Sequence, residues 1–203
     1  MNAASATQPS ETRRRSRRSW PVRLRRAVLV VGTALAVAVG GMVVVYCFPP
    51  SGDPTDADLV YVIGPATGTR MDVAQSIIHS TGREDLLISV SAGNTTKLAA
   101  AQMPACSEPH VICEHPIPST TKGEALLLNE YAKTHEVHKV VVLTVTPHVA
   151  RTRYIFARCS PDIDVQVIPV DEHLRFEDWV HQFAYQTGAF VKAIATPCAS
   201  DDG

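Results

Sequence analysis

Residues 139–144, Lys-Val-Val-Val-Leu-Thr, decide the fold. The run is short, apolar and β-branched, and it ends in Thr144 just before Thr146, Pro147 and His148. A strand with one wet face alternates polar and apolar residues. An unbroken apolar run suits a strand covered on both faces, at the centre of a parallel sheet. Parallel neighbours need a crossover, and the spacing predicts a helix from residue 148 to about 158.

The same alternation extends to both sides. Residues 57–63 (ADLVYVI) read as a strand that stops at Gly64-Pro65, and residues 70–79 as a helix with Met71, Ala74, Ile77 and Ile78 on one face. Residues 86–90 form a second strand leading into Ser91-Ala92-Gly93-Asn94, with a short helix over 96–103. A brief third strand covers 111–113, and a helix covers 119–132, where Thr121-x-x-Glu124 has the spacing of a capping box. Residues 164–170 (DVQVIPV) make the last strand and 176–194 a long final helix. The expected fold is doubly wound α/β: a mostly parallel sheet in a Rossmann-like three-layer sandwich with right-handed crossovers.

Charge divides the chain of 203 residues in two. Its 19 basic and 20 acidic residues nearly cancel. Residues 1–26, however, hold eight arginines against Glu11 alone, a charge of +7, which leaves eleven basic and nineteen acidic residues, −8, for the rest. The 22 residues from 27 to 48 (AVLVVGTALAVAVGGMVVVYCF) carry no charge. As a helix they would measure roughly 33 Å, enough for a hydrocarbon core of about 30 Å. Trp20 and Tyr46 stand at the two ends, where amphipathic rings favour the membrane interfaces. No small-x-small cleavage site ends the run, and bulky Tyr46 before Cys47 suits lipoprotein processing poorly.

The expected organisation is a basic cytoplasmic tail (1–26), a transmembrane helix (27–48), a Pro-rich linker (49–55) and an extracytoplasmic domain (56–198). The arginines place the N-terminus inside, giving a single-pass protein of the plasma membrane with its lipid bilayer as partner. An acidic body argues against a nucleic-acid partner, and oligomeric state is not legible.

Cys106, Cys113, Cys159 and Cys198 are an even set in the exported part, as two disulfides require. Three connectivities are open, among them Cys106 with Cys113 and Cys159 with Cys198. Four buried thiols are the alternative. Cys113-Glu114-His115 lacks paired ligand spacing and no H-E-x-x-H occurs, so no metal is expected.

In an open α/β sheet, ligands bind beyond the carboxyl ends of the strands, near a switch point. There the sequence places Gly64 and Arg70, then Ser91 and Gly93, then Thr121 and Glu124, and finally Thr144, His148 and Arg151. Guanidinium groups suit phosphate or carboxylate. His148 and Glu124 are the candidate catalytic pair, the imidazole for proton transfer and the carboxylate to orient it or activate water. The others are candidate ligand-binding residues for an anionic small molecule or lipid-linked ligand. Each has a plainer reading as a cap, a turn or a solvated residue. No Walker, dinucleotide or G-x-S-x-G pattern is present, and no cofactor is expected.

Over residues 57–170 this pattern resembles the YdcF/SanA/ElyC-like family, the domain of unknown function 218. The resemblance rests on ADLVYVIG with Arg70-x-x-x-Ala74, Ser91-x-Gly93, Thr121-x-x-Glu124-Ala125 and Thr144-x-x-x-His148-x-x-Arg151. It implies an α/β domain on an N-terminal anchor, facing the envelope and linked to peptidoglycan-related processes. The shared polar positions it implies are Arg70, Ser91, Thr121, Glu124, His148 and Arg151. The chain departs from that pattern at Gly64-Pro65, where the family has consecutive glycines, and at Ser91-Ala92-Gly93, where it has Ser-Gly-Gly. Both changes add bulk where backbone would approach a ligand.

Overall fold

A computed structural model describes residues 21–90 and 103–198. Two compact units divide at residue 39, the first ending with Val39 and the second running from Gly40. Among the described residues one helix, α1 (Val22–Cys47), is long and apolar enough to cross a membrane.

The second unit is an α/β domain with five parallel strands: β1 (Leu59–Val62), β2 (Leu86–Ser89), β3 (Val111–Glu114), β4 (Lys139–Val145) and β5 (Asp164–Val170). Their order is β3-β2-β1-β4-β5. The unbroken apolar run therefore pairs with β1 on one side and β5 on the other. Alternate residues divide between two cores. Leu59, Tyr61, Leu87, Val140 and Val142 point to the face covered by α3 (Thr121–His135) and α4 (Val149–Cys159). Val60, Val62, Ile88, Val141 and Leu143 point to the face covered by α2 (Gly68–Thr81). The final helix α5 (Phe176–Ala195) buries only Gln186 and Ala193 and stacks Phe190 on Tyr154 of α4.

One local reading changes. Helix α3 is capped by Thr120, whose hydroxyl accepts the Gly123 N–H at 3.3 Å, so the capping box expected at Thr121 and Glu124 does not form. The chain packs tightly at this turn: a Cβ on Gly123 would lie 1.8 Å from the Pro118 carbonyl oxygen. Residues 49–55, the expected linker, run against the domain. Gly52 donates to the Val167 carbonyl at 3.0 Å, and the Arg153 guanidinium clasps the carbonyls of Pro50 and Val167 at 2.6 and 3.0 Å. The helix expected over 96–103 lies outside the described residues.

All four body cysteines are oxidised, Cys106 to Cys113 and Cys159 to Cys198. The second bridge spans 39 residues and ties the chain end to α4, whereas the first spans only 7. By loop-closure entropy the long bridge contributes about 4 kcal/mol and the short one about 2. Replacing Cys159 and Cys198 by serine should lower the unfolding free energy about 1.6 times as much as replacing Cys106 and Cys113, in urea titrations of the full chain in detergent micelles.

Candidate functional site

The strand order reverses between β1 and β4, since β1 leads out to β2 and β4 leads the other way to β5. The loops leaving these two central strands diverge and leave room between them. Gly64 and Arg70 follow β1, while Thr144, His148 and Arg151 end or follow β4. Thr121 and Glu124 stand in the first turn of α3.

Glu124 reaches back from α3 to two strands. Its Oε1 accepts the Gly64 N–H at 2.8 Å and the Ser89 hydroxyl at 2.9 Å. Tyr61, fully buried in β1, donates its hydroxyl to the Glu124 backbone carbonyl at 3.2 Å. The side chain is only 6% exposed. Burial pushes the carboxyl up to about 7, against the opposing pull of its two hydrogen bonds and of the Arg151 and Arg70 charges. Glu124 can therefore exchange a proton near neutrality, which an exposed glutamate does not do.

His148 is buried, and both its ring nitrogens are occupied. Nδ1 meets the Thr144 hydroxyl at 2.9 Å and Nε2 meets the Thr121 hydroxyl at 3.3 Å. Burial, with the Arg151 and Arg70 charges adding to it, holds the imidazole well below its usual range, so it stays neutral. It stands at the N-cap position of α4, but its side chain makes no capping hydrogen bond. Arg151 reaches the same Thr121 hydroxyl with Nη1 at 3.5 Å and donates from Nε to Gln186 of α5 at 2.9 Å. Its guanidinium lies over the Tyr185 ring, 5.7 Å from the centroid. A guanidinium can only donate. The network closes when Thr121 accepts from Arg151, gives its own hydrogen to Nε2, and Nδ1–H donates to Thr144.

Arg70 is 3% exposed and spent on the fold. Its Nη1 donates to the carbonyls of Ile63 and Pro65 at 3.1 and 2.8 Å, tying down the chain as it leaves β1. Its Nε lies 2.9 Å from Glu172 Oε1, an ion-pair contact whose angle is too poor for a hydrogen bond. The Thr67 hydroxyl holds the same carboxylate at 2.7 Å. Burial lowers the Arg70 pKa, and Glu172 partly restores it.

The structure thus gathers Arg70, Thr121, Glu124, Thr144, His148 and Arg151 at one edge of the sheet, close enough for both arginine charges to act on Glu124 and His148. Gly64 joins them by its N–H rather than by lacking a side chain, since a Cβ there would sit 3.5 Å from Glu124 Oε1, an ordinary contact. Ser91 and Gly93 lie outside the described residues. Arg151 is the half-buried member, so the cluster meets its surroundings at that guanidinium, with Glu124 and His148 behind.

Sequence reasoning missed four partners. Ser89 ends β2 as the polar residue of an apolar strand (LLIS), a signal that was there to read. Glu172 follows β5, and scanning beyond the fifth strand as beyond the others would have found it. Tyr185 and Gln186 carry no sequence signal, because their roles arise from the docking of α5. Two shallow concavities, beside Arg83 and beside Pro161, lie at the opposite, amino-terminal edge of the sheet. Among the described residues no group of three or more His, Cys, Asp or Glu side chains could hold a metal ion. Comparison with protein-family models and with curated proteins gives no match.

The Glu124 carboxyl holds its proton more tightly folded than unfolded, so its burial costs stability increasingly as pH rises from about 4.5 to about 7. His148 acts in the opposite sense, its lowered pKa costing stability as pH falls below 6.5. Comparing Glu124→Gln with wild type cancels the histidine contribution. The variant should gain on wild type by about 2 kcal/mol between pH 5 and pH 7 in urea unfolding.

Proposed function

We propose that this chain is a membrane-anchored envelope protein of the YdcF/SanA/ElyC-like kind, which takes an anionic, phosphate-bearing cell-wall or lipid-linked precursor at the Arg151 end of the cluster. The basic tail keeps the N-terminus cytoplasmic and carries the domain outside, where its two disulfides are stable. The observation that carries the reading is the guanidinium of Arg151. It is held by Gln186, stacked on Tyr185, and set in front of a carboxyl that titrates near neutrality. A pre-oriented guanidinium presents its remaining N–H fork to a phosphate with little further ordering cost.

Within that reading, Arg151 and Thr121 hold the anion and Glu124 exchanges the proton. His148 orients Thr121, since its ring nitrogens are both engaged. Arg70 keeps the β1 exit and Glu172 in place behind them. The engagement of His148 also favours a second reading, a non-catalytic module that binds the same anion as a signal.

Inorganic phosphate and a polyprenyl phosphate serve as probes for the full chain in detergent. A ligand at about 100 times its Kd should stabilise the protein by about 2.7 kcal/mol. Arg151→Ala should abolish the shift, while Arg83→Ala at the far edge keeps it. With a polyprenyl diphosphate as substrate, phosphate release slowed about 100-fold by Glu124→Gln supports catalysis. Binding without release supports the signalling module, and no Arg151-dependent shift overturns both.

A further inference from the structure

Helix α5 leaves an apolar stripe uncovered. Successive residues turn by about 100°, which places Phe176, Val180, Ala184, Val191 and Ile194 on one side, all exposed. Phe176 is 84% exposed and Val191 63%. Glu177 at the edge of the stripe is paired with Arg175. A soluble domain rarely shows water so many apolar side chains on one helix face.

The last turns of α1 show what lies beside it. Tyr46 is buried against α5, its ring edge-on to Phe183 at 5.4 Å and its hydroxyl 3.2 Å from the Thr187 hydroxyl, while Thr187 also contacts the Met42 sulfur at 3.8 Å. On the same helical projection Thr187 falls within the stripe's side of α5. Met42 stands six residues before Phe48, about 9 Å along the helix and inside the apolar span. The middle of α5 therefore packs against the last turns of α1, at Met42 and Tyr46.

The chain path agrees. After α1 it runs back along β5, Gly52 meeting Val167 and Asp53 meeting Gln166. So α1 ends on the carboxyl side of the sheet, the side that carries Arg151. Tyr185 and Gln186, which hold that guanidinium, lie between Phe183 and Thr187.

We propose that α5 is an interfacial helix whose Phe176–Ile194 stripe lies in the bilayer, so that the rim at Arg151 meets the headgroups of membrane lipids rather than bulk solution. Apolar helix faces settle about 5–10 Å into the boundary between headgroups and acyl chains. This deepens the proposed function, and it rests on α1 spanning the membrane. It accounts for the exposed stripe, for its position beside α1, and for a site that opens towards the same side.

The test uses the full chain in phosphatidylcholine vesicles, with and without dibrominated acyl chains. Trp20→Phe and Trp179→Phe remove the native reporters, and Val180→Trp or, separately, Phe176→Trp supplies a new one. Both new tryptophans should lose roughly half their emission to brominated lipid, while Arg83→Trp on the same background keeps its own. Unquenched tryptophans in protein that resists alkaline extraction overturn the interfacial helix and leave the anchor standing. Release by alkali overturns both. Unquenched tryptophans accompanied by a cross-linked dimer show a second copy covering the stripe, which also overturns the proposal.

Discussion

The carboxylate of Glu124 is the contact on which the functional edge of this domain depends. One oxygen accepts from the backbone after β1 and from the side chain ending β2, while its own carbonyl is held by Tyr61 from within β1. Removing a carboxylate from water is costly, and here two donors and two nearby arginines offset only part of that cost. The residual penalty appears as a carboxyl that titrates near neutrality. The same contact fixes where the first turn of α3 sits, and hence where Thr121 meets His148 and Arg151.

Around it, polar side chains divide into two kinds of work. Arg70, Glu172 and Thr67 are bound to one another and to backbone carbonyls, and they hold the loop leaving β1. Thr144, His148 and Thr121 form a relay of hydroxyl and imidazole that ends on Arg151, the one arginine here supported laterally by an aromatic ring and an amide. Two arginines with the same residue type and similar positions after a strand thus differ in role, because one faces carbonyls and the other faces outwards.

Much of the fold was legible in the sequence. Strands in a buried parallel sheet are rich in β-branched residues, so the run at β4 announced an interior strand, although the middle place of the five belongs to β1. The two disulfides were among the pairings that the cysteine positions allowed. What failed was local: the cap of α3 is Thr120, one residue earlier, in a turn where Gly123 packs under the Pro118 carbonyl, a contact that no spacing rule contains. Glu124 is bound instead to the ends of β1 and β2.

The sequence by itself determined the helix long and apolar enough to cross a membrane, the parallel α/β architecture and the group of residues that follow the central strands. Periodicity and charge are properties of neighbours along the chain, and these features depend on little else. Only the tertiary structure decided the partners. It brought Glu172 from beyond β5 to Arg70, and Gln186 and Tyr185 from α5 to Arg151. It also left the apolar stripe of α5 open beside the end of α1. Those contacts join residues 34 to about 140 positions apart, and what selects them is the packing of whole helices, to which each residue contributes only a small part.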